Sequence, residues 1–181
     1  MNFMRYIRIP MDRVGVLIGQ EGKTRQKIQQ STSVNIFIDS KNGEISLDDR
    51  NVEDPFDIFK IENVIRAIGR GFSPDHAFKL LNDRYDLYIF DIHDYVKKKS
   101  SHVHRVKARI IGKNGKTKQL IEELTRSYIS VYGHTVAVIS DVVDMDITKK
   151  AIDKLLQGSK HATVYRFVER SMKNLRLHKE F

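Results

Sequence analysis

Two four-residue segments, Gly19-Gln20-Glu21-Gly22 and Gly112-Lys113-Asn114-Gly115, have the composition of loops that hold a chain of phosphates. Each follows an aliphatic pair, Leu17-Ile18 or Ile110-Ile111, and each runs into Lys-Thr and a basic stretch of helical period. Glycines at both ends of such a loop adopt backbone angles that a Cβ resists, and their missing side chains let a polyanionic strand lie against the backbone. A helix starting at the second glycine aims its free N–H groups and positive dipole end at the same place. Lys23 and Arg25 in the first copy, and Lys116 and Lys118 in the second, add full charges beside it. The chemistry these residues suggest is holding a polyanion, with no bond made or broken.

Other chemistries fit less well. Both loops end in Gly-Lys-Thr, as a nucleotide-binding P-loop does, but the leading glycine of that motif falls at Leu17 and at Ile110. Its phosphate nest is therefore incomplete, and ATPase or GTPase activity is not expected. His102 and His104 lack neighbouring cysteines or carboxylates at metal-ligand spacing, so no metal and no cofactor is expected. Asp144 and Asp146 read as helix-capping residues, and Asp48 and Asp49 as loop residues, which leaves no paired-carboxylate centre. The aromatics Phe56, Phe59, Phe72, Tyr88 and Phe90 fall at core spacings. No residue reads as catalytic, and an enzyme is not expected. The chain contains no cysteine, hence no disulfide. It has no apolar run of membrane-spanning length and no secretory stretch at its start, and a cytoplasmic location is expected.

The loops belong to a longer repeat. Setting Gly19 on Gly112 aligns residues 14–36 with 107–129, with further identities at Gly22/Gly115, Lys23/Lys116, Thr24/Thr117, Gln26/Gln119, Ile28/Ile121, Thr32/Thr125 and Ile36/Ile129. A repeat at this spacing divides 181 residues into two domains, 1–84 and 85–181. In the first, strand pattern covers residues 3–9, helices 12–18 and 23–31, a hairpin 34–47, and a helix 54–68 with Asp54 as N-cap, Pro55 at its first position, and Phe56, Phe59, Val64, Ile65 and Ile68 on one face. Ser73 and Pro74 open a connecting helix. The second repeats the order: a strand over 86–92, a basic polar link at 97–101, helices 103–111 and 116–125, a hairpin 128–140 turning at Gly133-His134, and helices 144–156 and 161–177. Each unit is β-α-α-β-β-α, an α+β arrangement, with one helix extra at the C-terminus. The net charge of +9 is uneven: 11 Lys/Arg against 10 Asp/Glu in residues 1–70, and 21 against 13 in residues 71–181. That asymmetry turns the second half toward a polyanion. Glu21 puts a carboxylate in the first loop where Asn114 stands in the second, so the second loop is expected to be the main clamp. The first is expected to bind weakly, through Gly19, Gln20, Gly22, Lys23 and Arg25, or to dock protein.

The repeated unit resembles the KH domain of type I, whose GXXG loop clamps a single-stranded nucleic-acid backbone. The resemblance implies two tandem KH domains and an apolar base groove beside the second loop, formed by Ile110, Ile111, Ile129 and Val131 next to Gly112, Lys113, Asn114, Gly115, Lys116 and Lys118. The whole chain is similar to the archaeal relatives of the partner-of-Nob family, through the strand DLYIFDI, the segment ARIIGKNGKTKQLIEELTRSYISVYGHTVAVISD and the closing helix. Eukaryotic members carry a long N-terminal extension that this sequence lacks, which points to an archaeal source. That family's members are small-subunit ribosome assembly factors. The implied ligand is the single-stranded 3′ region of small-subunit ribosomal RNA. The implied protein partners are a maturation endonuclease and the α subunit of the initiation factor that carries initiator tRNA. Two other readings stay open: an RNA-binding subunit of a degradation complex, and a KH-fold protein scaffold that holds no RNA.

Overall fold

The structure is a computed structural model that describes residues 4–48, 50, 52, 54–96 and 99–177. The chain divides between Tyr85 and Asp86 into two compact units, each with its own helices and sheet. In the first, β1 (Arg5–Arg8) leads into α1 (Met11–Ile18), a 3-10 turn over Gln20–Gly22 and α2 (Lys23–Thr32). The hairpin β2 (Asn35–Asp39) and β3 (Glu44–Asp48) follows, then α3 (Asp57–Gly69), α4 (Pro74–Ala77) and a 3-10 turn over Phe78–Leu81. The order recurs with β4 (Tyr85–Asp91), α5 (Ser100–Ile111), a 3-10 turn over Lys113–Gly115, α6 (Lys116–Thr125), β5 (Tyr128–Tyr132), β6 (Thr135–Asp141) and α7 (Met145–Leu156). The extra C-terminal helix is α8 (His161–Leu177). This is the α+β, type I KH order twice over.

Both sheets have the same topology, β1-β3-β2 and β4-β6-β5, so the third strand of each unit is central and the second is an edge. Registers match as well. Ile36 lies opposite Leu47 and Ile38 opposite Ile45 in the first hairpin; Ile129 lies opposite Val138 and Val131 opposite Val136 in the second. Alternation along a strand sends Ile7, Ile36, Ile45 and Leu47 inward and leaves Tyr6 and Phe37 exposed on the other face. In the second unit Ile110, Ile121, Ile129, Val136, Val138, Ile152, Leu155, Val164 and Val168 form one buried cluster. A fully buried aliphatic side chain contributes about 1.5–3 kcal/mol.

Several expectations need correction. Helix α3 starts at Asp57, not at Asp54, because the Asp54 carboxylate closes a turn by accepting from the Phe56 N–H at 2.9 Å. The buried face runs through Ile58, Ile61, Val64, Ile65 and Ile68, and Phe56 and Phe59 are exposed at 70% and 49%. Phe59 instead lies under the Arg5 guanidinium, 4.4 Å from its ring centre, and exposed Tyr88 lies 3.8 Å from the Lys149 ammonium. Phe72 and Phe90 are core, as expected. Ser100 and Ser101 are the first turn of α5 and no link. Asp144 precedes α7 without a side-chain cap, and Asp146 pairs with Lys150 at 2.6 Å. Asp48 is a buried strand end clasped by Arg50 at 2.5 Å, not a loop residue. Phe3, Asp49, Lys97 and Lys98 lie outside the described residues. Ser73 does cap α4, its hydroxyl accepting from the His76 N–H, with Pro74 at the first position.

Candidate nucleic-acid interface

The sequence repeat is also a repeat of backbone angles. Gly19 has φ 75°, ψ 170° and Gly112 φ 74°, ψ 174°. Glu21 and Asn114 share φ near 55°, and Gly22 and Gly115 share φ of 76° and 77°. The two glycines of each loop are needed for different reasons. At Gly19 and Gly112 a Cβ would run into the hydroxyl and backbone nitrogen of Thr24 or Thr117, the second residue of the following helix. At Gly22 and Gly115 a Cβ would meet nothing within 4 Å, so these glycines serve the left-handed angle and leave open space in front of the helix start. The third position is also left-handed. Asparagine tolerates that region and glutamate is strained in it.

Above this common frame the charges differ. Lys113 and Lys116 are exposed and have no ion-pair partner among the described residues. In the first loop Lys23 pairs with Glu21 at 3.2 Å, both side chains about 70% exposed, so one loop cation is already compensated. Gln20 is exposed, Gly19 and Gly22 are half-buried, and Arg25 donates from Nε to Gln29 Oε1 at 3.2 Å. Lys118, the repeat counterpart of Arg25, is not free for phosphate as expected. Its ammonium donates to both Glu122 oxygens at 2.9 Å, and Glu122 also accepts from the Ile129 N–H at 2.7 Å. The pair therefore anchors the edge strand β5 to α6.

The expected apolar groove divides in two. Ile110 and Ile129 are 0% and 3% exposed and belong to the core, so neither presents surface to a base. Ile111 and Val131 are half-buried and do present surface. The first unit repeats this division, with Leu17 and Ile36 enclosed and Ile18 and Ile38 half-buried. For the helical pairs Leu17-Ile18 and Ile110-Ile111 the physical reason is the helical step: consecutive residues lie about 100° apart, so one faces the core and the other its margin.

The C-terminal helix expected over residues 161–177 is present, and what sequence reasoning missed is its contact with the second loop. Helix α8 buries Val164, Val168 and Met172 against α6 and α7, and Tyr165 shares a 2.9 Å hydrogen bond with the Thr117 hydroxyl behind the second loop. Arg109 donates to the carbonyls of Gly158 and Ser159, and its own carbonyl lies 2.9 Å from His161 Nε2. The end of α5 and the start of α6 are thus braced from the C-terminal side. The four-residue spacing of Val164, Val168 and Met172 was the available signal for a packed helix.

Similar proteins share this architecture. Residues 86–173 match the family of the second KH domain of PNO1, described as a eukaryotic-type KH domain of type I, and residues 4–53 match the KH domain family. A KH domain-containing protein of Methanocaldococcus jannaschii is 40% identical over 94% of this chain and 74% of its own length. The pre-rRNA-processing protein pno1 of Schizosaccharomyces pombe is 28% identical over 90% of this chain and 68% of its own. Among solved structures, that of an a/eIF2alpha-aDim2p-rRNA complex from Pyrococcus horikoshii contains a chain 42% identical, with a TM-score of 0.88 over 96% of both chains.

Proposed function

This chain belongs to the archaeal branch of the PNO1 family of tandem KH proteins, and from that premise we propose that it grips the single-stranded 3′ region of small-subunit ribosomal RNA with its second unit during maturation. RNA binding in ribosome biogenesis follows from the family; the 3′ region and the division of labour between the units are our reading. The observation that carries it is the second loop, where an open glycine, two uncompensated lysines and the half-buried pair Ile111 and Val131 occur on adjoining segments of one unit. Phosphates pass along the loop and the start of α6, while unpaired bases lie toward Ile111 and the edge of β5. The protein acts by holding RNA, and cleavage falls to a separate maturation endonuclease. The first unit, with its neutralised loop, is the docking side for protein, and the α subunit of the initiator-tRNA-carrying factor is the proposed partner. The Pyrococcus complex supports that choice.

The test is a titration of fluorescent oligonucleotides from the 3′ end of archaeal small-subunit rRNA, against scrambled and duplex controls, across a range of salt. Preference for the single-stranded 3′ sequence is expected. Each phosphate contact contributes about −0.7 to the slope of log K against log salt. Equal affinity for scrambled RNA would leave an RNA-binding protein and remove the 3′-region assignment. No measurable affinity would favour the scaffold reading.

A further inference from the structure

Asp91, His93 and His134 come together at the end of β4, where the 3-10 turn over Ile92–Asp94 meets the β5–β6 turn. One ligand atom from each lies within 4.8 Å of the others. His93 Nδ1 is 3.2 Å from Asp91 Oδ1, and His134 Nε2 is 3.7 Å from Asp91 Oδ2. The two imidazoles stack with centres 4.7 Å apart and planes 20° from parallel. Neither histidine is spent on the core, with side chains 24% and 47% exposed, and each aims a ring nitrogen at the one carboxylate.

We propose that these three side chains form a binding site for a divalent transition ion of the zinc class. Ligand type selects the ion: two imidazole nitrogens and one carboxylate suit zinc, whereas calcium and magnesium prefer all-oxygen shells. At bond lengths of about 2.0–2.1 Å, tetrahedral ligand atoms stand roughly 3.3 Å apart. The present separations approach that, and a turn about each Cβ–Cγ bond, which is soft for histidine, aims both rings at one point. The backbone is already fixed. The Asp91 carboxylate accepts from the His93 N–H at 2.8 Å, and the Ile92 N–H donates to the His134 carbonyl at 2.8 Å, with the Ile92 side chain fully buried between them. Ligands on a hydrogen-bonded frame lose little entropy on binding. The remaining coordination position opens to water, because His134 lies on an exposed turn. A bound ion would tie the β5–β6 turn to the end of β4, three residues from Val131. Sequence spacing concealed the site, since His134 is remote from Asp91 and His93 and only the hairpin brings it back.

The experiment uses the full, chelator-stripped chain, titrated with zinc chloride by calorimetry in a non-coordinating buffer and with cobalt(II) by visible absorption. One equivalent of zinc is expected, with cobalt d–d bands at the intensity of a four-coordinate site. His134→Ala, on an exposed turn, and His93→Ala should each weaken binding by about 100-fold while the circular dichroism spectrum stays unchanged. The double change His102→Ala with His104→Ala should leave binding as it was. The proposal is overturned if the wild type shows neither heat nor d–d absorption at 100-fold metal excess, or if the His93→Ala/His134→Ala double variant binds as tightly as wild type.

Discussion

At the scale of single residues, the loops show how one backbone carries two electrostatic messages. Asn114 sits comfortably at φ 55°, and the exposed Lys113 beside it has no acidic neighbour to spend its charge on among the described residues. Replacing Lys113 and Asn114 together with Asp keeps a residue type that tolerates the left-handed region, but sets two negative charges against the RNA backbone. RNA affinity should fall at least tenfold, about 1.4 kcal/mol, in anisotropy titrations, with an unchanged circular dichroism spectrum. Unaltered binding would remove this loop from the interface. Glu21 offers the reverse test, because it is strained at φ 54° and holds Lys23 in an exposed pair. Glu21→Asn relieves the strain and gives up an ion pair worth little at the surface, so stability should hold to within about 0.5 kcal/mol. Because the second unit carries the grip, release of Lys23 should leave RNA affinity within about twofold of wild type. A gain of about fivefold or more would place the first loop on the RNA and remove its assignment to protein docking.

At the scale of elements, the edge strand β5 separates fold from recognition within three residues. Ile129 is core, so Ile129→Ala should cost about 2–4 kcal/mol in chemical denaturation and weaken RNA binding only through loss of folded protein. Val131, half-buried at the margin, should cost clearly less when cut to Ala and should instead relax base preference in a panel of oligonucleotides. If the two variants behave alike in both assays, the division of the strand is wrong. In the first unit, the end of β3 supplies an acid-sensitive point. The Arg50 guanidinium, hydrogen-bonded to Asp48, holds that buried carboxyl below the usual carboxylate range. A depressed folded pKa means the contribution to stability is present above the unfolded value of about 3.9 and is lost as pH falls through the lower folded value. Asp48→Asn should therefore flatten the stability-against-pH curve below about pH 4, and an unchanged curve there would show that the clasp contributes nothing.

For the whole molecule, the relevant quantity is the distribution of its +9 charge. Residues beyond 70 carry most of the surplus, and the uncompensated loop lysines lie in that half. Salt dependence should follow the cations that are free and not the number of lysines present. Lys116→Ala should lower affinity for all sequences and shallow the slope of log K against log salt by about one unit or slightly less. Lys118→Ala should change that slope less, and should destabilise the protein by uncoupling Glu122 from its ammonium partner. Equal slope changes for the two would show that Lys118 leaves Glu122 when RNA arrives. Among the described residues no helix is long and apolar enough to cross a membrane.

The paired loops, the β-α-α-β-β-α order and the charge asymmetry were all present in the amino-acid sequence, because each rests on local rules. Glycine spacing sets a turn, apolar period sets a helix or strand, and lysine counts set a field. What tertiary structure alone decided was which side of each element is filled. Ile110 and Ile111 are adjacent aliphatics, and only the packing of α5 on α6 and β5 puts the first inside and the second at the margin. Phe59 and Tyr88 have core-like spacing, yet solvent and a neighbouring cation receive them, because which face of α3 and of β4 is covered depends on segments distant in sequence. The engagement of Lys118 by Glu122, the brace from Tyr165 to Thr117, and the meeting of His93 with His134 join residues through folded geometry. A linear pattern records the residue types; the distances between side chains exist only once the chain has closed on itself.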